Sequence, residues 1–101
     1  MKLKISGGTK DHPAFFAHGE YEPGADPSLT PCPFCGNDDD FTVENTHTPY
    51  YDVKCKECGA VGPESRPEGY DGFVFKTRDC CEEMHRSGFE AAIREWNART
   101  R

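Results

Sequence analysis

Apolar and polar residues alternate only in short runs along this chain. Phe41-Thr42-Val43-Glu44-Asn45 alternates as a half-buried strand, and Tyr50-Tyr51-Asp52-Val53-Lys54 is a second run of strand-forming residues. Thr46-His47-Thr48-Pro49 between them reads as a turn, because proline has no N–H to donate within a central strand. Together they predict an antiparallel hairpin. Phe73-Val74-Phe75-Lys76-Thr77 predicts a third strand. Residues 2–6 alternate weakly, enough for an edge strand, and Ala14-Phe15-Phe16-Ala17 is an apolar run that either docks on the domain or forms a sticky patch. Otherwise residues 1–28, with Gly7-Gly8, Gly24 and prolines at 13, 23 and 27, read as a partly irregular N-terminal arm.

The period changes near the C-terminus. Phe89, Ala92, Ile93 and Trp96 fall at i, i+3, i+4 and i+7, one apolar stripe of a helix over about 88–99. Ser87, with Glu90 three residues on, reads as the capping box that starts it. Residues 79–86 predict a short helix before it, ended by Gly88. A sheet this small needs a cover, so the stripe is expected to pack on it.

These elements are too poor in apolar residues to hold themselves together. The chain of 101 residues has two leucines, two isoleucines, four valines and seven phenylalanines, and 30% of it is charged. Ordering a residue costs on the order of 1.5 kcal/mol, so something beyond a core must stabilise one domain of this kind. The cysteines supply a candidate. Cys32-Pro33-Phe34-Cys35-Gly36 and Cys55-Lys56-Glu57-Cys58-Gly59 are two Cys-x-x-Cys-Gly units. Two intervening residues let the chain reverse so that both sulfurs of a pair face one point. Glycine after the second cysteine suits a positive φ. Paired units at this separation predict one tetrahedral, structural Zn²⁺ on Cys32, Cys35, Cys55 and Cys58. A structural zinc contributes roughly 10–16 kcal/mol, so folding is expected to depend on it.

The remaining candidates are weaker. His12 and His18 sit in the Gly/Pro-rich arm and read as solvated. His47 lies at the far tip of the hairpin, a poor position for a ligand. Cys80 and Cys81 are neighbours, which on a helix point about a quarter turn apart, so one is expected to be buried and the other exposed. Cys81 and His85, at i and i+4, share a face.

Charge narrows the function. The net charge is −6, and residues 31–69 carry eight acids against Lys54, Lys56 and Arg66. A protein that grips phosphates usually shows the opposite balance. Asp38, Asp39 and Asp40 follow the first cysteine pair and are the candidate contacts for a protein partner. The alternative is a nucleic-acid-binding zinc ribbon, with Phe41, Tyr50, Tyr51, Phe73 and Phe75 as a stacking platform, but no basic stripe accompanies them. Tight nucleic-acid binding is not expected. Four cysteines leave zinc no open position for hydrolysis, and there is no phosphate loop or nucleophile signature, so an enzyme is not expected either. No signal-like apolar run follows Lys2 and Lys4 and no segment is long enough to cross a membrane, so the expected location is the cytoplasm.

Three blocks carry a resemblance. They are Leu29-Thr30-Pro31-Cys32-Pro33-Phe34-Cys35-Gly36, then Val53-x-Cys55-x-x-Cys58-Gly59-Ala60-x-Gly62-Pro63, then Ala92-Ile93-x-x-Trp96-Asn97-x-Arg99. In this order they resemble the restriction-alleviation (Lar-like) zinc-ribbon proteins of phages and prophages. The resemblance implies a small α+β fold: a zinc ribbon, two knuckles on a short antiparallel sheet, covered by a C-terminal helix. It implies a non-enzymatic accessory protein in the host cytoplasm that counters host restriction by modulating restriction–modification machinery. Cys32, Cys35, Cys55 and Cys58 match the metal ligands, and Ile93 and Trp96 the helix signature. The arm and the 64–86 stretch, inserted within the 29–101 domain, are additional to the pattern.

Overall fold

One long helix carries two separate hairpins in the computed structural model, which describes residues 1–46 and 48–99. Strand β1 (Lys2–Gly7) pairs antiparallel with β2 (Phe15–Glu20), Ile5 opposite Ala17. Strand β3 (Phe41–Glu44) pairs antiparallel with β4 (Asp52–Cys55), Val43 opposite Val53. Helix α1 (Arg78–Arg99) has 22 residues. At 1.5 Å per residue it is about 33 Å long, enough to underlie both hairpins in turn. The molecule is accordingly elongated, 47 × 22 × 21 Å. No helix among the described residues is long and apolar enough to cross a membrane.

The two hairpins of the small α+β fold obey the alternation that predicts them. Leu3 and Ile5 are half-buried while Lys2 and Lys4 are exposed, and Val43 and Val53 are buried beside exposed Glu44 and Lys54. The weak run at 2–6 becomes a full strand because Ala14-Phe15-Phe16-Ala17 turns back on it. His47 lies outside the described residues.

The third predicted strand does not form. In the 73–77 stretch only Phe75 bridges another strand: its carbonyl accepts from Phe15 N–H at 2.9 Å. Phe73 and Val74 are exposed, whereas Phe75 is buried against Tyr70, ring centroids 5.5 Å apart. Aromatic packing has replaced strand pairing there. A short segment does extend the second sheet instead. Residues 60–65 return along β4, with Cys55 N–H donating to Ala60 O and Gly62 N–H to Val53 O, both 2.8 Å.

The helix also departs from its expected bounds. It runs unbroken through Gly88, and its N-cap is Thr77, not Ser87. Thr77 Oγ1 accepts from Cys80 N–H at 3.2 Å and its carbonyl from Cys81 N–H at 3.2 Å. Gly88 is there for space: a Cβ at this position would stand 2.1 Å from the Pro49 carbonyl oxygen. Missing side-chain volume, which reads in sequence as a helix breaker, lets the helix lie against the backbone of the second hairpin.

Two apolar clusters line the helix. The C-terminal one gathers Leu29, Val43, Tyr51, Val53, Phe89, Ile93 and Trp96 with Cys32 and Cys55. The N-terminal one gathers Ala17, Tyr70, Phe75 and Cys81, with Leu3, Ile5 and Met84 packed on them. Fully buried His85 joins the clusters. Its Nδ1 is 2.8 Å from the Tyr51 hydroxyl, and its ring centroid lies 5.7 Å from those of both Tyr51 and Phe75.

The close approach at Gly88 reverses a usual rule. Gly→Ala within a helix ordinarily stabilises by up to about 1 kcal/mol. Here Gly88→Ala is expected to destabilise by about 1–3 kcal/mol, because the methyl group overlaps a backbone carbonyl. Urea unfolding of the two proteins checks the sign.

Candidate metal centre

Both Cys-x-x-Cys-Gly units fold into the same local structure. In the first, Cys32 N–H donates to Asn37 O at 2.8 Å and Gly36 N–H to Cys32 O at 2.9 Å. In the second, Cys55 N–H donates to Ala60 O at 2.8 Å and Gly59 N–H to Cys55 O at 2.9 Å. Gly36 has φ 77° and Gly59 φ 79°. A Cβ at either would meet nothing within 4 Å, so glycine serves the left-handed backbone here and not a lack of room. Each knuckle buries its first cysteine and exposes its second.

The hairpin sets the two knuckles face to face. Cys55 ends β4 opposite Phe41, the first residue of β3, so the knuckle before β3 and the knuckle after β4 meet at one end of the sheet. Lys56 N–H donates to Asp40 O at 3.0 Å and extends the pairing to the base of both turns. The four Sγ atoms all lie within 4.8 Å of one another. Cys32 and Cys58 Sγ are 3.6 Å apart, and Cys35 and Cys55 Sγ 3.5 Å. Four thiolates at the usual Zn–S length of about 2.3 Å stand about 3.8 Å apart in a tetrahedron. The donor set and its size therefore fit a single metal ion of that kind.

The thiols perturb one another as crowded acids do. Burial raises the pKa of Cys55, but donors from Asn37 Nδ2, the backbone N–H groups of Cys58 and Glu57, and the Cys35 thiol bring it down to about 6. Cys35 goes the other way. The backbone N–H of Asn37 favours its thiolate, yet burial and the Cys55, Cys58 and Cys32 thiols push it up to about 12. Several negative charges in so small a space need a cation to coexist.

Two asparagines and a threonine at this centre escape pattern-based reading. Asn37, in sequence one residue of a polar turn, donates from Nδ2 to Cys55 Sγ at 3.3 Å and to Asp40 O at 2.7 Å. Its Oδ1 accepts from Asp39 N–H at 3.2 Å and Asp40 N–H at 3.1 Å. It thus ties the acidic turn to the second knuckle. At the other side, Thr30 N–H donates to Asn97 Oδ1 at 2.9 Å, and Trp96 Nε1 donates to Thr30 O at 2.9 Å. Asn97 Nδ2 donates to Ser28 O at 3.0 Å. The end of α1 therefore holds the extended segment that leads into Cys32. Gly62 completes the junction, since a Cβ there would stand 2.9 Å from the Trp96 ring.

The other sequence candidates are placed as follows. Asp38, Asp39 and Asp40 are exposed on the turn after the first knuckle, with Asp40 3.8 Å from the Lys56 ammonium. His12 and His18 are exposed, and among the described residues the four cysteines are the only group able to hold a metal ion. Cys81 is fully buried, which pushes its thiol up to about 11, while Cys80 is half-buried. Of the proposed stacking residues, Tyr51 and Phe75 are buried in the two clusters. Comparison with protein-family models, curated proteins and solved structures gives no match.

Metal analysis of protein purified without chelators is expected to give one zinc per chain, with Cys32→Ser or Cys58→Ser abolishing it and unfolding much of the chain. Trp96→Ala removes a buried ring and the donor to Thr30. It is expected to cost about 3–5 kcal/mol and to weaken zinc retention against a competing chelator. Iodoacetamide should modify the zinc-loaded chain once, at Cys80, and all six cysteines after unfolding with chelator, as counted by mass spectrometry.

Proposed function

We propose that the chain is a zinc-stabilised, non-enzymatic module that binds another protein. The observation that carries this reading is the closed donor set. Four thiolates converging from two matched knuckles fill every position of a tetrahedral ion and leave none for water or substrate. Zinc bound there would cross-link the two turns and hold the end of the second hairpin together. It would supply stability, not chemistry.

Charge favours a basic protein as partner. Asp38, Asp39 and Asp40 are exposed together, and Glu44, Asp52 and Glu64 gather on the second hairpin. Burial, followed by the Glu44 and Glu64 carboxylates, holds the Asp52 carboxyl above its usual range against the opposing pull of Lys54. Such a field repels phosphates and draws cationic surfaces. With Tyr51 and Phe75 packed inside, the aromatic platform for stacking bases is also incomplete.

The setting comes from the three sequence blocks that resemble restriction-alleviation proteins. In this reading the chain is a phage or prophage accessory factor, acting in the host cytoplasm on restriction or related defence machinery. Expressing it in a restricting host and measuring the survival of incoming unmodified DNA tests that setting. Unchanged restriction would remove it and leave the binding module standing.

Duplex DNA titrated against the zinc-loaded protein at physiological salt is expected to bind no tighter than the roughly 10⁻⁴–10⁻⁶ M non-specific range. Replacing Asp38, Asp39 and Asp40 together by Asn is expected to slow association with the protein partner. Submicromolar, sequence-dependent DNA binding would overturn the protein-partner reading.

A further inference from the structure

The two knuckles match residue for residue, and they differ at one position that bears on the metal. Cys32, Cys35 and Gly36 of the first correspond to Cys55, Cys58 and Gly59 of the second, and Asn37 answers to Ala60. The backbones of Asn37 and Ala60 play the same part, each carbonyl accepting the N–H of its own knuckle's first cysteine at 2.8 Å. Their side chains do not. Ala60 packs on the C-terminal apolar cluster, whereas Asn37 Nδ2 donates across the centre to Cys55 Sγ at 3.3 Å. Among the described residues it is the one side-chain N–H that reaches any of the four sulfurs.

The backbone decides which end of this amide faces the sulfur. Oδ1 accepts from the N–H groups of Asp39 and Asp40 at 3.2 and 3.1 Å, and Nδ2 donates to Asp40 O at 2.7 Å. Turning the amide over would set its nitrogen against two N–H groups and its oxygen against a carbonyl. Three bonds that do not involve sulfur therefore aim the donor at Cys55. The turn they belong to is itself fixed to the second knuckle, because Asp40 O also accepts from Lys56 N–H at 3.0 Å.

A metal-bound thiolate keeps lone pairs that accept hydrogen bonds, and a bond to the charged sulfur favours it over the thiol. Cys35 and Cys58 are exposed, so water can supply such a bond. Cys55 is fully buried and out of reach of bulk water. Its outer-sphere donor has to come from the protein, and Asn37 is placed to be that donor.

We infer that Asn37 is an outer-sphere ligand of the metal centre, a clasp from the first knuckle that holds the Cys55 thiolate of the second and sets how slowly the metal leaves. This rests on the zinc reading above and specifies what retains the ion. Asn37 is thus a positioning residue: it acts on the metal through the sulfur.

The test begins with the parent chain, so that no variant has to fold. With ¹¹³Cd²⁺ in place of zinc, the Asn37 side-chain amide protons are expected to show scalar coupling to the metal through the Cys55 sulfur. Asn37→Asp keeps the acceptor for Asp39 and Asp40 and puts a carboxylate oxygen where the donor stood. It is expected to release zinc to a competing chelator at least about tenfold faster. In its Co²⁺ form the thiolate-to-metal absorption band is expected at lower energy, since no hydrogen bond lowers the sulfur lone pairs. Asn37→Ser, a neutral turn-former too short to reach Cys55, is expected to move the band in the same direction. Absent coupling in a folded four-thiolate centre, or release at the parent's rate, would overturn the proposal. Faster release with an unshifted band would also overturn it and leave Asn37 a turn-former. In each of these cases the metal reading stands. A chain that binds neither Co²⁺ nor ¹¹³Cd²⁺ through four thiolates would overturn both.

Discussion

Four sulfur atoms from two turns have to reach one point, and most of the second hairpin is arranged around that requirement. The cluster of four thiols is closely coupled: burial and the neighbouring thiols push the Cys35 pKa up, while hydrogen bonds bring that of Cys55 down. It persists because backbone geometry imposes it. Each knuckle is closed by its own pair of hydrogen bonds, and the β3–β4 register brings the bases of both together. A cation bound there would balance what the backbone has concentrated, and its affinity would then be part of the folding free energy.

The first knuckle is held from outside by the helix. Trp96 and Asn97 occupy the N–H and C=O of Thr30 and the carbonyl of Ser28. The Trp96 ring also lies edge-on to Phe41, centroids 5.6 Å apart, and fits over Gly62. Each of the three sequence blocks thus contributes to one junction: Thr30 from the first, Gly62 from the second, Trp96 and Asn97 from the third. Their occurrence together in one chain has a physical reason that none of them shows alone.

The two hairpins do not merge into one sheet. Asn45 ties β2 to the end of β3 with side-chain bonds, and no backbone ladder joins the two strands. Both hairpins are fixed instead by their packing on the helix, one on each half, with the Tyr51–His85 contact between the clusters. The result is a thin molecule whose cohesion comes from the helix side, with the outer edge of β4 covered by residues 60–65 and that of β2 capped at Phe15, Ala17 and Gly19.

The sequence by itself determined the local features. Spacing of the cysteines, the glycines at positive φ, the alternation in β3 and β4 and the stripe on α1 are all set by residues within one turn or one strand, and such short-range constraints are legible in order along the chain. The close packing of the four thiols followed from the same spacing. What only the tertiary structure decided depends on partners distant in sequence. Gly88 reads as a breaker until Pro49 is beside it, and the 73–77 run reads as a strand until Tyr70 and Phe75 stack. Asn37, Asn45 and Asn97 read as polar turn or surface residues until the backbone or sulfur atoms they bond are in place. An amide side chain carries both a donor and an acceptor and no apolar signal, so its role is fixed by what the fold brings to it and leaves no periodicity to read.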